Sequence, residues 1–257
     1  MTVALTDRLA LRRTLTQDDF DRFAALSGDD NPIHVDPAYA ARTRFGRTVS
    51  HGILLLTVLR GVAETLAPGF RLGRHEVRFP APTFAAEPMV FQVWRTEGGL
   101  GLAATREEEA AVTCDGLLLP LREKVAADRP DEGSENLSGV SSDASAETTR
   151  AFSAQHVQEY ASLGGETPAA GLVPEPLISA LFSYLLGVKL PGPGANYLKQ
   201  ETDFAAAARV GEALTARVQV TRLRPEKSLV DLRTTCRGEG GRTIAAGRAL
   251  IFIGDVA

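Results

Sequence analysis

Two stretches of the chain are apolar nearly all the way round, GILLLTVLRGVAETL (Gly52–Leu66) and EPLISALFSYLLGV (Glu175–Val188). A helix without a polar face is a buried one, so each stretch predicts a helix at the centre of a folded unit. Behind each lie runs in which apolar and polar residues alternate, the period of a strand with one buried face. They are Leu72–Phe79, Met89–Thr96, Gly101–Arg106 and Ala110–Leu119 after the first helix, then Asn196–Phe204, Ala213–Leu223, Ser228–Arg237 and Arg242–Ile253 after the second. One buried helix followed by four or five antiparallel strands packs most economically with the sheet curved around the helix. That order occurs twice and predicts two such units.

The units also align residue by residue. HEVRFPAPTFAAEPMVFQV (His75–Val93) lies on QETDFAAAARVGEALTARV (Gln200–Val218) at a constant offset of 125 without a gap, which places Glu76 on Glu201, Phe79 on Phe204, Glu87 on Glu212 and Val93 on Val218. An internal repeat of this kind predicts an α+β pseudo-dimer whose sheets join edge to edge, so that neither leaves a long open edge. Between the units, Glu123–Arg150 holds seven acids against three bases and accounts for the whole net charge of −4. Its Ser-, Glu-, Asp- and Gly-rich core buries too little apolar surface to offset chain entropy. The expected division is a first unit over 1–122, an acidic flexible linker over 123–150 and a second unit over 151–257. An acidic interaction segment is the alternative for the middle stretch.

Composition narrows the class. The chain has 257 residues, 44% hydrophobic and 23% charged, as expected of a globular protein that buries a core. Its longest apolar runs fall far short of the roughly 18–20 residues a membrane span needs. The start, MTVALTDRLALRR, lacks a basic stretch followed by an apolar one. A mildly acidic balance argues against a nucleic-acid surface. The expectation is a cytoplasmic protein with no membrane and no nucleic-acid partner, whose Cys114 and Cys236 stay reduced in the core.

Candidate chemistry concentrates in SGDDNPIHVDPAYAARTRFGRTVSHG (Ser27–Gly52). A helix ends at Gly28, and a turn fixed by Gly28 and Pro32 then carries Asp29, Asn31 and His34. A carboxylate and an imidazole held five positions apart in a constrained turn suit acid–base work. The same residues also fit a capping aspartate, a simple Asn-Pro turn and a packing histidine. Four scattered histidines and no cysteine cluster give no metal-site spacing. His75 and His156 read as surface residues, Asp30 as a solvated turn residue and His51 as packing beside the helix start. Arg60, within the first apolar helix, needs a partner, and Glu64 one turn on is the obvious one.

The string as a whole resembles the MaoC-like, or (R)-specific enoyl-CoA hydratase, family. The resemblance rests on Gly28-Asp29-Asp30-Asn31-Pro32-Ile33-His34, Asp36-Pro37, Tyr39-Ala40 and His51-Gly52, and covers residues 10–120. It implies two fused hot-dog folds, a double hot dog with a catalytic first repeat. It also implies that Asp29 and His34 bind and activate water, that Asn31 orients them, and that the Gly52 backbone N–H receives the thioester oxygen. A free N–H at a helix N-terminus suits the charge that develops there. Arg42, Arg44 and Arg47 are candidates to meet the phosphates of coenzyme A, with Ser50 and His51 completing the candidate substrate site.

The second unit resembles the same family in helix and sheet but not in the catalytic segment. Leu163-Gly164-Gly165-Glu166 stands where Leu26-Ser27-Gly28-Asp29 stands in the first, about 14 residues are missing, and Pro174-Glu175 replaces His51-Gly52. It reads as catalytically dead, with the shortened segment a candidate for acyl-chain room. The expected activity is hydration of trans-2-enoyl-CoA to (R)-3-hydroxyacyl-CoA or its reverse, with no cofactor beyond the coenzyme A of the substrate. The alternatives are a dehydratase acting on acyl-carrier-protein-bound or branched or dicarboxylic, mesaconyl-type thioesters, a thioesterase with Glu64 as its acid, and a non-catalytic hot-dog partner subunit. A homodimer of double hot-dog chains is the assembly considered.

Overall fold

A computed structural model describes residues 7–120 and 140–253. The core of the acidic segment lies outside them. Helix α1 (Gln17–Ser27) follows strand β1 (Arg8–Thr14); two single turns, α2 (Pro32–Val35) and α3 (Pro37–Ala40), precede the long helix α4 (Gly52–Leu66). Strands β2 (Leu72–Arg78), β3 (Pro88–Thr96), β4 (Gly99–Arg106) and β5 (Ala111–Pro120) complete the first unit. The second repeats the order with β6 (Ser145–Ala151), α5 (Ala154–Ser162), α6 (Glu175–Tyr184), a π-helical turn (Leu185–Lys189), β7 (Ala195–Phe204), β8 (Ala213–Arg224), β9 (Leu229–Arg237) and β10 (Thr243–Ile253). Among the described residues no helix is long and apolar enough to cross a membrane.

The described strands form one ten-stranded sheet in the order β1-β3-β4-β5-β2-β7-β10-β9-β8-β6. Read from either end, that order is the same within each unit, so a pseudo-two-fold axis passes between β2 and β7. Their antiparallel register places Glu76 opposite Glu201. These are the residues that the 125-residue offset equates, and a residue on a two-fold axis must meet its own equivalent. Like charges face to face would weaken the pairing. Arg74 offsets them, donating to Glu76 Oε1 at 2.9 Å and to Glu201 Oε2 at 3.1 Å. Arg248 and Lys199 add further bonds to Glu201. Burial would raise the Glu201 carboxyl, but these cations outweigh it and hold it below the usual range. Gly116 and Gly247 flank the axis symmetrically, since a Cβ on either would collide with the carbonyl of Glu76 or Glu201.

The two edge strands were not legible in the alternation, and β6 corrects the linker boundary, because the second unit has begun by Ser145. In β6 no residue is fully buried. Each edge strand sends an arginine to the other unit. Arg13 Nη1 donates to the Leu163 carbonyl at 2.6 Å and Arg150 Nη2 to that of Ala25 at 3.2 Å. Each guanidinium lies against a left-handed glycine that ends the other unit's helix: a Cβ on Gly164 would meet Arg13 at 2.6 Å, and one on Gly28 would meet Arg150 at 2.7 Å. Thus the turn that carries Asp29 is clamped from the second unit.

Cys114 and Cys236 are buried free thiols. His75, expected at the surface, is fully buried on β2 and packs edge-on against Phe204. It shares the buried face of β2 with Val77, while Arg74, Glu76 and Arg78 take the other face. Burial first, and the neighbouring Arg60 and Arg74 second, lower its pKa to about 3. The unfolded chain binds this proton below pH 6.5 and the folded one does not, so His75 makes stability fall as pH drops from 6.5 towards 3. Replacing it by glutamine, the residue at the equivalent position 200, should flatten the urea-midpoint profile between pH 6.5 and 5, by at most about 1.4 kcal/mol per pH unit. An unchanged profile would mean that His75 is not held neutral.

Candidate active site

The left-handed Gly28 ends α1 and turns the chain inward, so Asp29 is buried at 1% exposure. Asn31 caps α2, its Oδ1 accepting from the Ile33 N–H, and Pro32 supplies the preset first helical residue. This single turn brings His34 back towards Asp29. His34 Nδ1 bonds the Val49 carbonyl at 2.6 Å, which makes Nδ1 the protonated nitrogen and leaves the Nε2 lone pair available. His51 stacks on His34 at 3.8 Å between ring centres, and its Nε2 donates to the Asp29 carbonyl at 2.8 Å.

The second unit also reaches the first unit's turn, contacts that its reading as a degenerate repeat did not anticipate. Ser183 Oγ, at the end of α6, donates to Asp29 Oδ2 at 2.6 Å, and the Gly187 carbonyl in the π-turn accepts from Asn31 Nδ2 at 3.0 Å. Gly187 is small because it must be: a Cβ there would sit 3.0 Å from Asp29 Oδ1 and 3.2 Å from Asn31 Nδ2. The sequence carried a weak signal, a serine and a glycine one turn apart in an otherwise apolar helix. No spacing along the chain records the contact, because it is the pseudo-two-fold axis that makes α6 face the first unit's turn.

Asp29 Oδ1 is buried without a hydrogen-bond partner among the described residues and lines a cavity of about 150 Å³. Burial raises the Asp29 carboxyl above its usual range, more than His34 and the Ser183 bond lower it. Burial also lowers the His34 imidazole, partly opposed by Asp29. The pair therefore tends towards zero net charge, with one proton between them. His51 is driven far below its usual value by burial and remains neutral.

Gly52 is the first residue of α4 and lines the same cavity. Its N–H is one of the four that no intrahelical carbonyl can reach. Phe79 lies against its Cα, and a Cβ at Gly52 would meet the ring at 2.6 Å. Ser50 also lines the cavity, while its hydroxyl bonds the His51 carbonyl. Of the three arginines, Arg44 lines the mouth, 5.5 Å above the Phe252 ring of the second unit. Arg42 lies over Tyr39, and Arg47 pairs with Glu87 and covers Phe84. Asp29, His34 and His51 place one potential metal ligand atom each within 4.8 Å of one another.

The mirror position is filled. Counting from each helix start, Arg60 on α4 occupies the place that Ser183 holds on α6, and Glu166 occupies that of Asp29. Arg60 Nη2 bonds Glu166 Oε1 at 3.1 Å with both side chains 4% exposed, and Tyr160 donates to the other oxygen. Glu175, in the place of Gly52, lies 3.8 Å from the same nitrogen. Burial would lower the Arg60 pKa, but Glu166 and Glu175 outweigh it. The partner of Arg60 is thus Glu166, and Glu64 instead accepts from the Gly69 N–H.

Residues 5–115 match the MaoC like domain family. An (R)-specific enoyl-CoA hydratase of Rhodospirillum rubrum is 43% identical over 77 residues, 30% of this chain and 53% of that protein. A 3-hydroxybutyryl-CoA dehydratase of Methylorubrum extorquens is 35% identical over 99 residues, 38% of this chain and 61% of that protein. The chain thus spans only 53% to 61% of these curated relatives. Among solved structures, a MaoC-like dehydratase superposes with a TM-score of 0.76 at 12% identity, over 98% of this chain and 99% of its own. A Mycobacterium tuberculosis protein described as having a double hot-dog fold gives 0.72 at 15% identity, over 96% and 97%. At such identities the likeness is one of fold, and that fold is the double hot dog.

Breaking the mirror-site pair should cost far more than removing it whole. In urea denaturation Arg60→Met is expected to lose about 3–5 kcal/mol by stranding Glu166, and Arg60→Met with Glu166→Gln to recover most of it. Equal losses in the single and double variants would mean that packing, not charge, holds this position.

Proposed function

We propose that residues 5–115, a MaoC-like domain, act with the second unit to add water reversibly across the double bond of a trans-2-enoyl thioester, giving the (R)-3-hydroxyacyl thioester. The observation that carries this reading is a buried Asp29–His34 pair facing one cavity beside the uncommitted N–H of Gly52. The names of the relatives, an (R)-specific enoyl-CoA hydratase and a 3-hydroxybutyryl-CoA dehydratase, support it. Coenzyme A is the carrier those names favour, with acyl carrier protein the alternative, and the mouth arginine Arg44 suits the phosphate of either.

In this reading a water sits between Asp29 Oδ1 and His34 Nε2, the two atoms turned to the cavity, one of which carries the pair's proton while the other accepts from the water. Its oxygen bonds to C3, and the π electrons move through C2 onto the thioester oxygen. The Gly52 N–H receives that charge, helped by the positive end of a 15-residue helix. One member of the pair takes the water's proton and the other gives its proton to C2. The pair holds one proton before and after, and both transfers occur on one face of the substrate. Dehydration is the same path reversed. Ser183 keeps Oδ2 occupied, so only Oδ1 of Asp29 is presented. Asn31, held by Gly187, fixes the turn between the two groups.

Hydration of short trans-2-enoyl-CoAs, followed as loss of the conjugated-thioester absorbance with the C3 configuration of the product determined, tests the reading. Asp29→Asn and His34→Ala should each lower kcat by about 10²–10⁴-fold. Gly187→Ala, whose Cβ would press on Asp29 Oδ1 and Asn31 Nδ2, should lower it by about 10–100-fold with folding intact. Full activity in Asp29→Asn, or no turnover by folded protein with any thioester on either carrier, would overturn the proposal.

A further inference from the structure

We infer that the site accepts short acyl chains, of about four to six carbons, an inference that rests on the proposed reaction and adds its substrate class. The cavity measures about 150 Å³. A dry cavity of that size holds a ligand the size of benzene, about six non-hydrogen atoms. The reacting carbonyl carbon and oxygen, C2, C3 and the attacking oxygen take five of these, so a four-carbon chain fills that space and a six-carbon chain overruns it by about two atoms. Sulfur and the pantetheine arm leave through the mouth beside the exposed Arg44 and Pro80.

The inner wall has no give. Leu55 on α4, Leu186 in the π-turn, and Thr113 and Ile251 on the sheet are each at most 2% exposed and belong to the packed interior. Tyr197 lines the cavity too, and its hydroxyl donates to Gln200 Oε1. Gln200 is itself fixed, its Nε2 donating to Thr202 Oγ1 at 2.7 Å, the Glu201 carbonyl at 2.9 Å and Thr234 Oγ1 at 3.2 Å. The tyrosine therefore cannot swing aside without stranding a buried amide. Nor does the shortened turn of the second unit open acyl room, as its sequence suggested, because Arg60, Glu166 and Tyr160 occupy that place.

Binding of saturated acyl-CoAs to the full chain separates this inference from the reaction itself. Isothermal titration across acetyl, butyryl, hexanoyl, octanoyl, decanoyl and dodecanoyl-CoA should show affinity rising about fourfold per methylene up to hexanoyl, then flat or falling. The kcat/KM of the matching trans-2-enoyl-CoAs should fall at least about tenfold between six and ten carbons. Ile251→Ala, or Ile251→Val if the first fails to fold, should move the break to a longer chain. Affinity that keeps rising about fourfold per methylene to dodecanoyl, equal turnover of all lengths, or a break unmoved in the folded variant would overturn the inference while the reaction stands. If the folded chain binds no acyl-CoA of any length and turns over no thioester on either carrier, both fall.

Discussion

The register of β2 against β7 is the constraint on which the rest depends. It sets Glu76 against Glu201 and so fixes the position of the pseudo-two-fold axis. Once that axis is fixed, the end of α6 must come to the turn after α1, and the middle of α4 must come to the turn after α5. Ser183 meets Asp29, and Arg60 meets Glu166, for the same geometric reason. A slip of one residue would turn every side chain of β7 to the other face. Tyr197 would leave the cavity wall with it. The Arg74, Arg248 and Lys199 contacts at the axis therefore do more than neutralise two carboxylates, because they also reward one register over its neighbours.

Burial of ionisable groups is the second theme, and the two halves resolve it differently. At the working position the carboxylate is left with one oxygen bonded and the other facing a cavity, beside an imidazole kept short of charge. Such a pair is costly to maintain and chemically poised. At the mirror position the carboxylate is matched by a guanidinium and a tyrosine hydroxyl. The same burial there yields an inert cluster. What separates them is one helical residue, serine or arginine, together with the presence or absence of the histidine-bearing turn.

Much of this was legible in the sequence because it is written in local pattern. Two all-apolar helices, eight of the ten strands and the 125-residue repeat follow from periodicity, and the Asp29–His34 turn from its Gly and Pro punctuation. The edge strands escaped because β6 presents no fully buried residue, so nothing alternates strongly. Ser183 and Gly187 escaped for a different reason. Their role is set by what lies across the axis, and no spacing along the chain records that. The same holds for Arg60, whose near neighbour Glu64 was the natural partner in one dimension and whose real one is 106 residues away. His75 reads as a surface residue because nothing in its neighbourhood along the chain shows that it shares the inner face of its strand with Val77.

Fusion of the two units into one chain carries a consequence for how such a molecule can diverge. In an assembly of two identical copies every position exists twice, and the helix residue opposite each reactive carboxylate is the same residue. Serine and arginine could not both be chosen. A pair of first units alone would set Arg60 against Asp29, tying up in an ion pair the oxygen now left open to the cavity. The covalent tandem releases that symmetry. One half is free to keep a buried carboxylate open to a cavity while the other accumulates the contacts that hold both together, so that the open site and its support are inherited through separate stretches of a single sequence.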